Sequence, residues 1–188
     1  MLTLLAFAAA LAAQTPGAPQ DGPIVTGTST ATETSAELRL REALAYSNPM
    51  PRGAPDRDYP LVAWCDALVS GHVALGETLT DRQPEDLEII RLGRLEASDF
   101  RGSLKAAEAR QSPATRTAAQ QAAAAATARW TPLLAQSDEA ARSQSFGLFF
   151  GLPGRCEHAA RRIRENITTP PATLGEVGLR SEGEDQAQ

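Results

Sequence analysis

The sequence has few aromatic residues, almost no lysine, and only two cysteines and two histidines. Aromatic residues make up 5% of the 188 residues. A sheet sandwich needs many aromatic and β-branched strand residues, so this scarcity, together with abundant alanine, favours closely packed helices. The net charge of −5 argues against a nucleic-acid binder that neutralises phosphate groups. Lys105 is the only lysine, a bias that we attribute to a GC-rich bacterial genome.

Motifs of common catalytic and cofactor sites are also missing. The sequence contains no G-x-S-x-G, no C-x-x-C and no C-x-x-C-H, which are the patterns expected of a nucleophile elbow, a catalytic dithiol and an attached haem. Its two histidines have no nearby set of acidic or cysteine residues, which makes a metal site a weak hypothesis. We therefore predict no catalytic residue, no metal ligand and no cofactor.

The longest apolar segment after the N-terminus runs from Tyr59 to Leu79 and predicts the central helix. Pro60 suits the first turn of a helix, where its missing N–H has no partner to lose. Apolar positions recur at alternating steps of four and three, as on one face of a helix. These positions are Leu61, Cys65, Leu68, His72, Leu75 and Leu79.

The chain divides by composition into four parts. Residues 1–13 resemble a secretory signal, residues 14–33 a disordered linker, residues 34–168 a helical domain, and residues 169–188 a disordered acidic tail. At 1.5 Å per residue, residues 1–13 are too short to cross a bilayer as a helix. The alternative is an N-terminal helix that is retained. We expect an exported protein of the periplasm or the extracellular space, with no transmembrane segment in the mature chain.

Helix starts are predicted at three further capping signals and at one acidic turn. The predicted fold is all-α, a small bundle of four to five helices with one inter-helix disulfide. Pro132 either kinks its helix or restarts it. The last helix is predicted over Arg155–Ile167. The four starts are Thr34, Pro84, Ser112-Pro113 and Ser137 with Asp138.

The two cysteines are 91 residues apart, on the inner faces of the central and last helices. In an oxidising compartment this placement predicts a disulfide between Cys65 and Cys156. The alternative is a pair of buried free thiols.

The two histidines are predicted to differ in environment. His72 follows Cys65 by seven residues and shares its face. We interpret it as a hydrogen-bonded residue at a helix interface, with a metal or haem ligand as the alternative. His158 follows Cys156 by two residues, so we expect it to point away from the core and to be exposed.

Two groups of residues are candidate binding surfaces. Arg155, Arg161 and Arg162 could hold an anionic head group, a carboxylate or an acidic partner, although an ordinary solvated face is the simpler interpretation. Phe149 belongs to the cluster Phe146–Leu152, which could be an exposed patch. We expect instead that this cluster packs against Trp64 or Trp130.

The predicted function is a non-enzymatic binding or interaction module of the periplasm, with another envelope protein as its partner. The alternative is an enzyme, or a cofactor- or metal-binding helical protein, with a pocket near His72. That alternative requires an accessible His72.

Overall fold

The computed structural model describes residues 33–149 and 151–179. Within these ranges the all-α prediction is confirmed, since they contain helices and no strand. The six α-helices are α1 (Ser35–Ser47), α2 (Asp58–Glu77), α3 (Pro84–Ala107), α4 (Pro113–Leu134), α5 (Glu139–Gly147) and α6 (Arg155–Arg164). Two short 3-10 helices, Glu108–Arg110 and Gly175–Val177, accompany them. The predicted signal (1–13) and all but the last residue of the linker (14–33) lie outside the described residues.

The described residues contain six α-helices rather than the predicted four to five, and α4 and α5 are separated near the predicted start at Ser137 with Asp138. Pro132 does not end α4, which continues to Leu134, so only its last turn is affected by the missing N–H. A new helix then begins at Glu139. The carboxylate of Asp138 accepts hydrogen bonds from the backbone N–H groups of Ala140 and Ala141, at 2.9 and 3.4 Å, and thereby caps α5.

The predicted central helix is at the centre of the fold. α2 contacts α3, α4, α5 and α6, and 12 of its 20 residues are buried. Burial on so many sides explains why its apolar residues cover more than one stripe. At the N-terminus of α1, Thr34 forms the predicted capping box with Glu37.

Glycines allow the neighbours of α2 to approach its backbone closely. A Cβ atom at Gly71 would lie 2.0 Å from Cδ1 of Trp130, so the indole of α4 occupies the space where a side chain would be. Gly76 accommodates the ring of Phe146 in the same way, at 2.5 Å. These contacts make α2 a surface onto which large aromatic rings pack directly.

The predicted disulfide is confirmed. Cys65 of α2 and Cys156 of α6 are bonded, with their Cα atoms 6.1 Å apart, and both residues are buried. The bond closes a loop of 91 residues, for which chain entropy alone gives a stabilisation of up to about 4–5 kcal/mol.

Residues 169–179 belong to the folded part, which differs from the predicted tail boundary. Ala172 is buried, and its N–H lies 3.5 Å from a carboxylate oxygen of Glu42 in α1. The carbonyl of Thr169 accepts a hydrogen bond from Arg162. The polar composition of residues 169–179 therefore reflects the side of the segment that faces solvent. Its backbone bonds to the buried side chains of Arg162 and Glu42. The rest of the predicted tail, 180–188, lies outside the described residues.

Candidate functional site

His72 lies inside an aromatic cluster. Its ring is stacked on Phe146 and also contacts Phe149, with both centroid distances at 4.4 Å, and Trp130 lies 5.9 Å away. Nε2 of His72 is 2.9 Å from the carbonyl oxygen of Phe146, so this nitrogen carries the proton if the ring is neutral. Burial lowers the pKa of His72 from its ordinary value, which favours that neutral form.

This geometry supports the interpretation of His72 as a packed polar residue. The residue is only 4% exposed, and its Nε2 is paired with the carbonyl oxygen of Phe146. The alternative function required an accessible His72, and the structure does not provide one.

Next to the aromatic cluster is an open groove of about 290 Å³. Its walls are mainly apolar side chains from α2, α4 and the segments that follow α1 and α5. The volume is at the lower end of those typical of small-molecule pockets, which suits one or two side chains of a peptide better than a large cofactor. The groove is lined chiefly by Pro51, Trp64, Trp130, Leu133, Phe149 and Pro153.

The rim of this groove is basic. Arg129 places its guanidinium 5.4 Å from the centroid of the Trp64 ring and donates a hydrogen bond to the carbonyl oxygen of Arg52, at 2.6 Å. Both arginines are exposed. The cation–π contact fixes one wall of the groove, and the positive charge of Arg129 remains at its edge.

The indole nitrogens of Trp64 and Trp130 are both buried and have no hydrogen-bond partner within the described part of the chain. Nε1 of Trp130 faces the backbone of α2, since it would lie 2.4 Å from a Cβ atom at Gly71. An unpaired buried donor costs about 1–3 kcal/mol. The ring packing around these tryptophans must therefore outweigh an unfavourable polar contribution.

A second cavity, of about 420 Å³, lies between α1 and the 3-10 helix Gly175–Val177. Its lining includes Glu37, Arg39 and Glu176, all exposed side chains. Although it is larger, its lining contains no aromatic side chain. We therefore take the groove beside Trp64 as the candidate site.

The arginines of α6 form a separate site. Arg162 is 5% exposed and donates hydrogen bonds to the carboxylates of Glu42 and Asp58, each at 3.0 Å. Arg161 also reaches Glu42, at 3.2 Å. The interpretation of this face as solvated is wrong for Arg162, because α6 packs against α1, α2 and α3 and buries more of its circumference than one apolar stripe. Arg161 and Arg162 are thus already paired with carboxylates of the same chain, whereas Arg155 donates to the backbone carbonyl of Asp56.

Tyr46 completes this ionic cluster. Its hydroxyl donates a hydrogen bond to Asp58, at 2.7 Å, and its ring lies beneath the guanidinium of Arg155, at 4.5 Å. Burial, followed by the negative charge of Asp58, raises the pKa of Tyr46 well above its usual range. Tyr46 therefore stays neutral and acts as a donor. Arg155 and Arg162 share a face of α6, since both guanidiniums lie over the Tyr46 ring, at 4.5 and 5.9 Å.

The candidate binding residues thus separate into two places. His72 and Phe149 adjoin the groove, whereas Arg155, Arg161 and Arg162 belong to the ionic cluster. The expected burial of the phenylalanine cluster holds for Phe146, which is 3% exposed, but Leu148 is 58% exposed.

One further expectation is wrong. His158 was expected to be exposed but is buried, at 3%, because α6 is covered on several sides. Burial also lowers the pKa of His158.

Sequence reasoning did not find the groove itself. The opening that Pro51, Phe149 and Pro153 form above Trp64 and Trp130 was not anticipated. The only signal was indirect. The proline-rich segment 49–60 and the breaker Gly151-Leu152-Pro153-Gly154 are irregular, and an opening can form where such segments meet.

Three searches bear on the assignment of a function. In residues 33–149 and 151–179, no group of three or more His, Cys, Asp or Glu side chains is arranged to hold a metal ion. None of the helices described has both the length and the apolar character needed to cross a membrane. Comparison of the chain with protein families, curated proteins and solved structures found no match.

Proposed function

We propose that this protein is a non-enzymatic binding module of the bacterial periplasm or the extracellular space. Its groove takes an apolar segment of another envelope protein. The observation that carries this proposal is the groove itself, an opening of about 290 Å³ that is lined by Pro51, Leu133, Phe149 and Pro153 above two nearly buried tryptophans. Binding energy is commonly concentrated in an anchor side chain that enters such a pocket and is ringed by less important contacts.

The disulfide supports the proposed location. A buried bond between α2 and α6 fits an oxidising compartment, because thiols are kept reduced in the cytosol. The apolar segment 1–13 provides the export signal in this proposal.

Chemical crosslinking in the cell envelope, followed by mass spectrometry, tests the function. Wild-type protein should recover a reproducible partner. Phe149→Asp and Pro51→Asp should each reduce its recovery, because both put a negative charge in the groove wall. Pro51 is exposed, so its variant carries little risk of unfolding. Leu95→Asp is the matched control, since Leu95 is 57% exposed on α3 and does not line the groove. No reproducible partner, or equal recovery with all variants, would count against the proposal.

A further inference from the structure

We propose that α5 is a displaceable lid that covers a docking site for a helical segment of a partner protein. That segment carries a carboxylate and, seven residues further on, an aromatic ring, as α5 itself does at Glu139 and Phe146. The inference goes beyond the proposed function, because neither Glu139 nor Phe146 lines the groove beside Trp64.

α5 contributes less to the core than any other α-helix in the described part of the chain. It is nine residues long, and Phe146 is its only buried residue, whereas each of the other five has at least three. Isolated helices of this length are marginal in water, so α5 depends on its contacts with other elements. Elements with few buried contacts open before the whole protein unfolds. We therefore expect α5 to detach first.

The chain on either side of α5 can accommodate such a movement. Residues 136–138, which precede α5, are irregular. At its other end, Gly147 and Gly151 both have nothing within 4 Å of their Cβ positions. Packing does not hold the backbone at either glycine, and a few positions of this kind can absorb the change of backbone angles when a lid moves.

The first anchor of α5 is an anion-binding site in the turn after α2. The carboxylate of Glu139 accepts hydrogen bonds from the hydroxyl and the N–H of Thr80, both at 2.6 Å, and from the N–H of Asp81, at 3.3 Å. These hydrogen bonds, that of the Thr80 side chain foremost, lower the pKa of Glu139, so the group is ionised at neutral pH. The turn consequently recognises a carboxylate.

The second anchor is a notch for an aromatic ring. A Cβ atom at Gly76 would lie 2.5 Å from the ring of Phe146, and His72 is stacked on that ring at a centroid distance of 4.4 Å. Nε2 of His72 also pairs with the carbonyl oxygen of Phe146, at 2.9 Å. A buried donor that loses its partner is unfavourable. A segment that displaces α5 must therefore supply both a ring and a carbonyl group.

The spacing of the two anchors defines the partner. Glu139 and Phe146 are seven residues apart, which places them on one face of a helix and about 10 Å apart along its axis. Helices that dock in grooves commonly present anchors at such i and i+7 positions. Because α5 is tethered, it competes at an effective concentration in the millimolar range. The site thus stays closed until the lid is loosened.

Amide hydrogen exchange of the full chain tests the mobility of α5. Protection in α5 should be at least tenfold lower than in α2, and Glu139→Ala should lower it further in α5 alone. Glu139 is only partly buried, so this variant carries little risk of unfolding. Gln144→Ala is the matched control on the exposed side of the same helix and should leave the protection unchanged. Protection of α5 equal to that of α2 would overturn the inference.

A fluorescent synthetic peptide of residues 137–149 tests the site beneath α5. By fluorescence anisotropy it should bind the full chain with Glu139→Ala several-fold more tightly than the wild-type chain, because a larger fraction of the sites is open. Phe146→Ala in the peptide should abolish binding, whereas Ser143→Ala, at an exposed position, should preserve it.

Three results of the peptide experiment would reject the inference: equal affinity for both proteins, binding to neither, or binding that survives Phe146→Ala in the peptide. None of them depends on a partner in the groove beside Trp64. This inference and the proposed function can therefore fail separately.

Discussion

Replacing Arg162 by methionine should destabilise the protein far more than removing an exposed arginine. The side chain of Arg162 is 5% exposed and bonds to two carboxylates, each at 3.0 Å. Breaking a buried pair by removing one partner costs about 3–5 kcal/mol, because a charge is left uncompensated. Since Arg161 still lies 3.2 Å from Glu42, we expect the lower end, about 3 kcal/mol.

Thermal and urea unfolding measure this loss. At about 2–4 °C per kcal/mol for a domain of this size, Tm should fall by about 6–12 °C. The control is Arg91→Met. Arg91 pairs with Glu88 at 2.6 Å, but both side chains are more than half exposed, so its variant should leave Tm nearly unchanged.

A compensated variant checks the cause. Arg162→Met combined with Glu42→Gln and Asp58→Asn removes the uncompensated charges and should recover part of the lost stability. If Arg162→Met lowers Tm no more than Arg91→Met does, the ionic cluster is not a stabilising element and the reasoning fails. Failure of the triple variant to recover any stability would show that lost packing, rather than charge, dominates.

Three other predictions concern packing, the disulfide and pH. Gly71→Ala should lower the free energy of unfolding by about 1–3 kcal/mol, because the added methyl group overpacks the indole of Trp130. Gly102→Ala should instead raise it by about 0.5–1 kcal/mol, because nothing lies within 4 Å of its Cβ position. Urea unfolding of both variants measures the two changes. Intact mass spectrometry of the exported protein should show no alkylatable thiol before reduction, and two alkylatable thiols would contradict the Cys65–Cys156 bond. Because burial lowers the pKa of His72 below its unfolded value of 6.5, the unfolded state binds the proton first as pH falls, so stability should be complete above pH 6.5 and decline below it. His72→Gln should make that decline shallower in urea melts, with the remainder due to His158, whose pKa is also lowered by burial, and an unchanged profile would refute this assignment.

Much of the fold follows from local signals in the sequence. Thr34 and Ser112 cap helices as predicted because capping depends on residues three positions apart. The Cys65–Cys156 bond was predictable because each cysteine has its own apolar face and only one pairing exists. Such arguments need no knowledge of how distant helices are arranged.

The wrong predictions concern α6, a helix with several neighbours. His158 and Arg162 were assigned to outer faces of α6 from a single apolar stripe, but α6 is covered by three helices. Arg162 is buried because Glu42 and Asp58 neutralise it, and those partners are 120 and 104 residues away in sequence. No periodicity argument along α6 contains that information.

The groove was missed for a similar reason. Its walls come from α2, α4 and two irregular segments, so it exists only in the assembled fold. Phe149 was identified as a candidate from its local cluster, but Trp64, Trp130 and Pro51 become a common surface only when Trp130 packs onto Gly71. A groove that forms between helices and loops leaves no periodic pattern in the sequence from which it could be predicted.

The most direct test of the proposed binding surface is site-specific photocrosslinking in the cell envelope from a probe at position 51. A probe at position 95 on α3 serves as the reference. The account predicts a reproducible crosslink to another envelope protein from position 51 and none to that protein from position 95. Crosslinking of the same protein from both positions, or from position 95 alone, would contradict the claim that the groove beside Trp64 and Trp130 is where this protein binds.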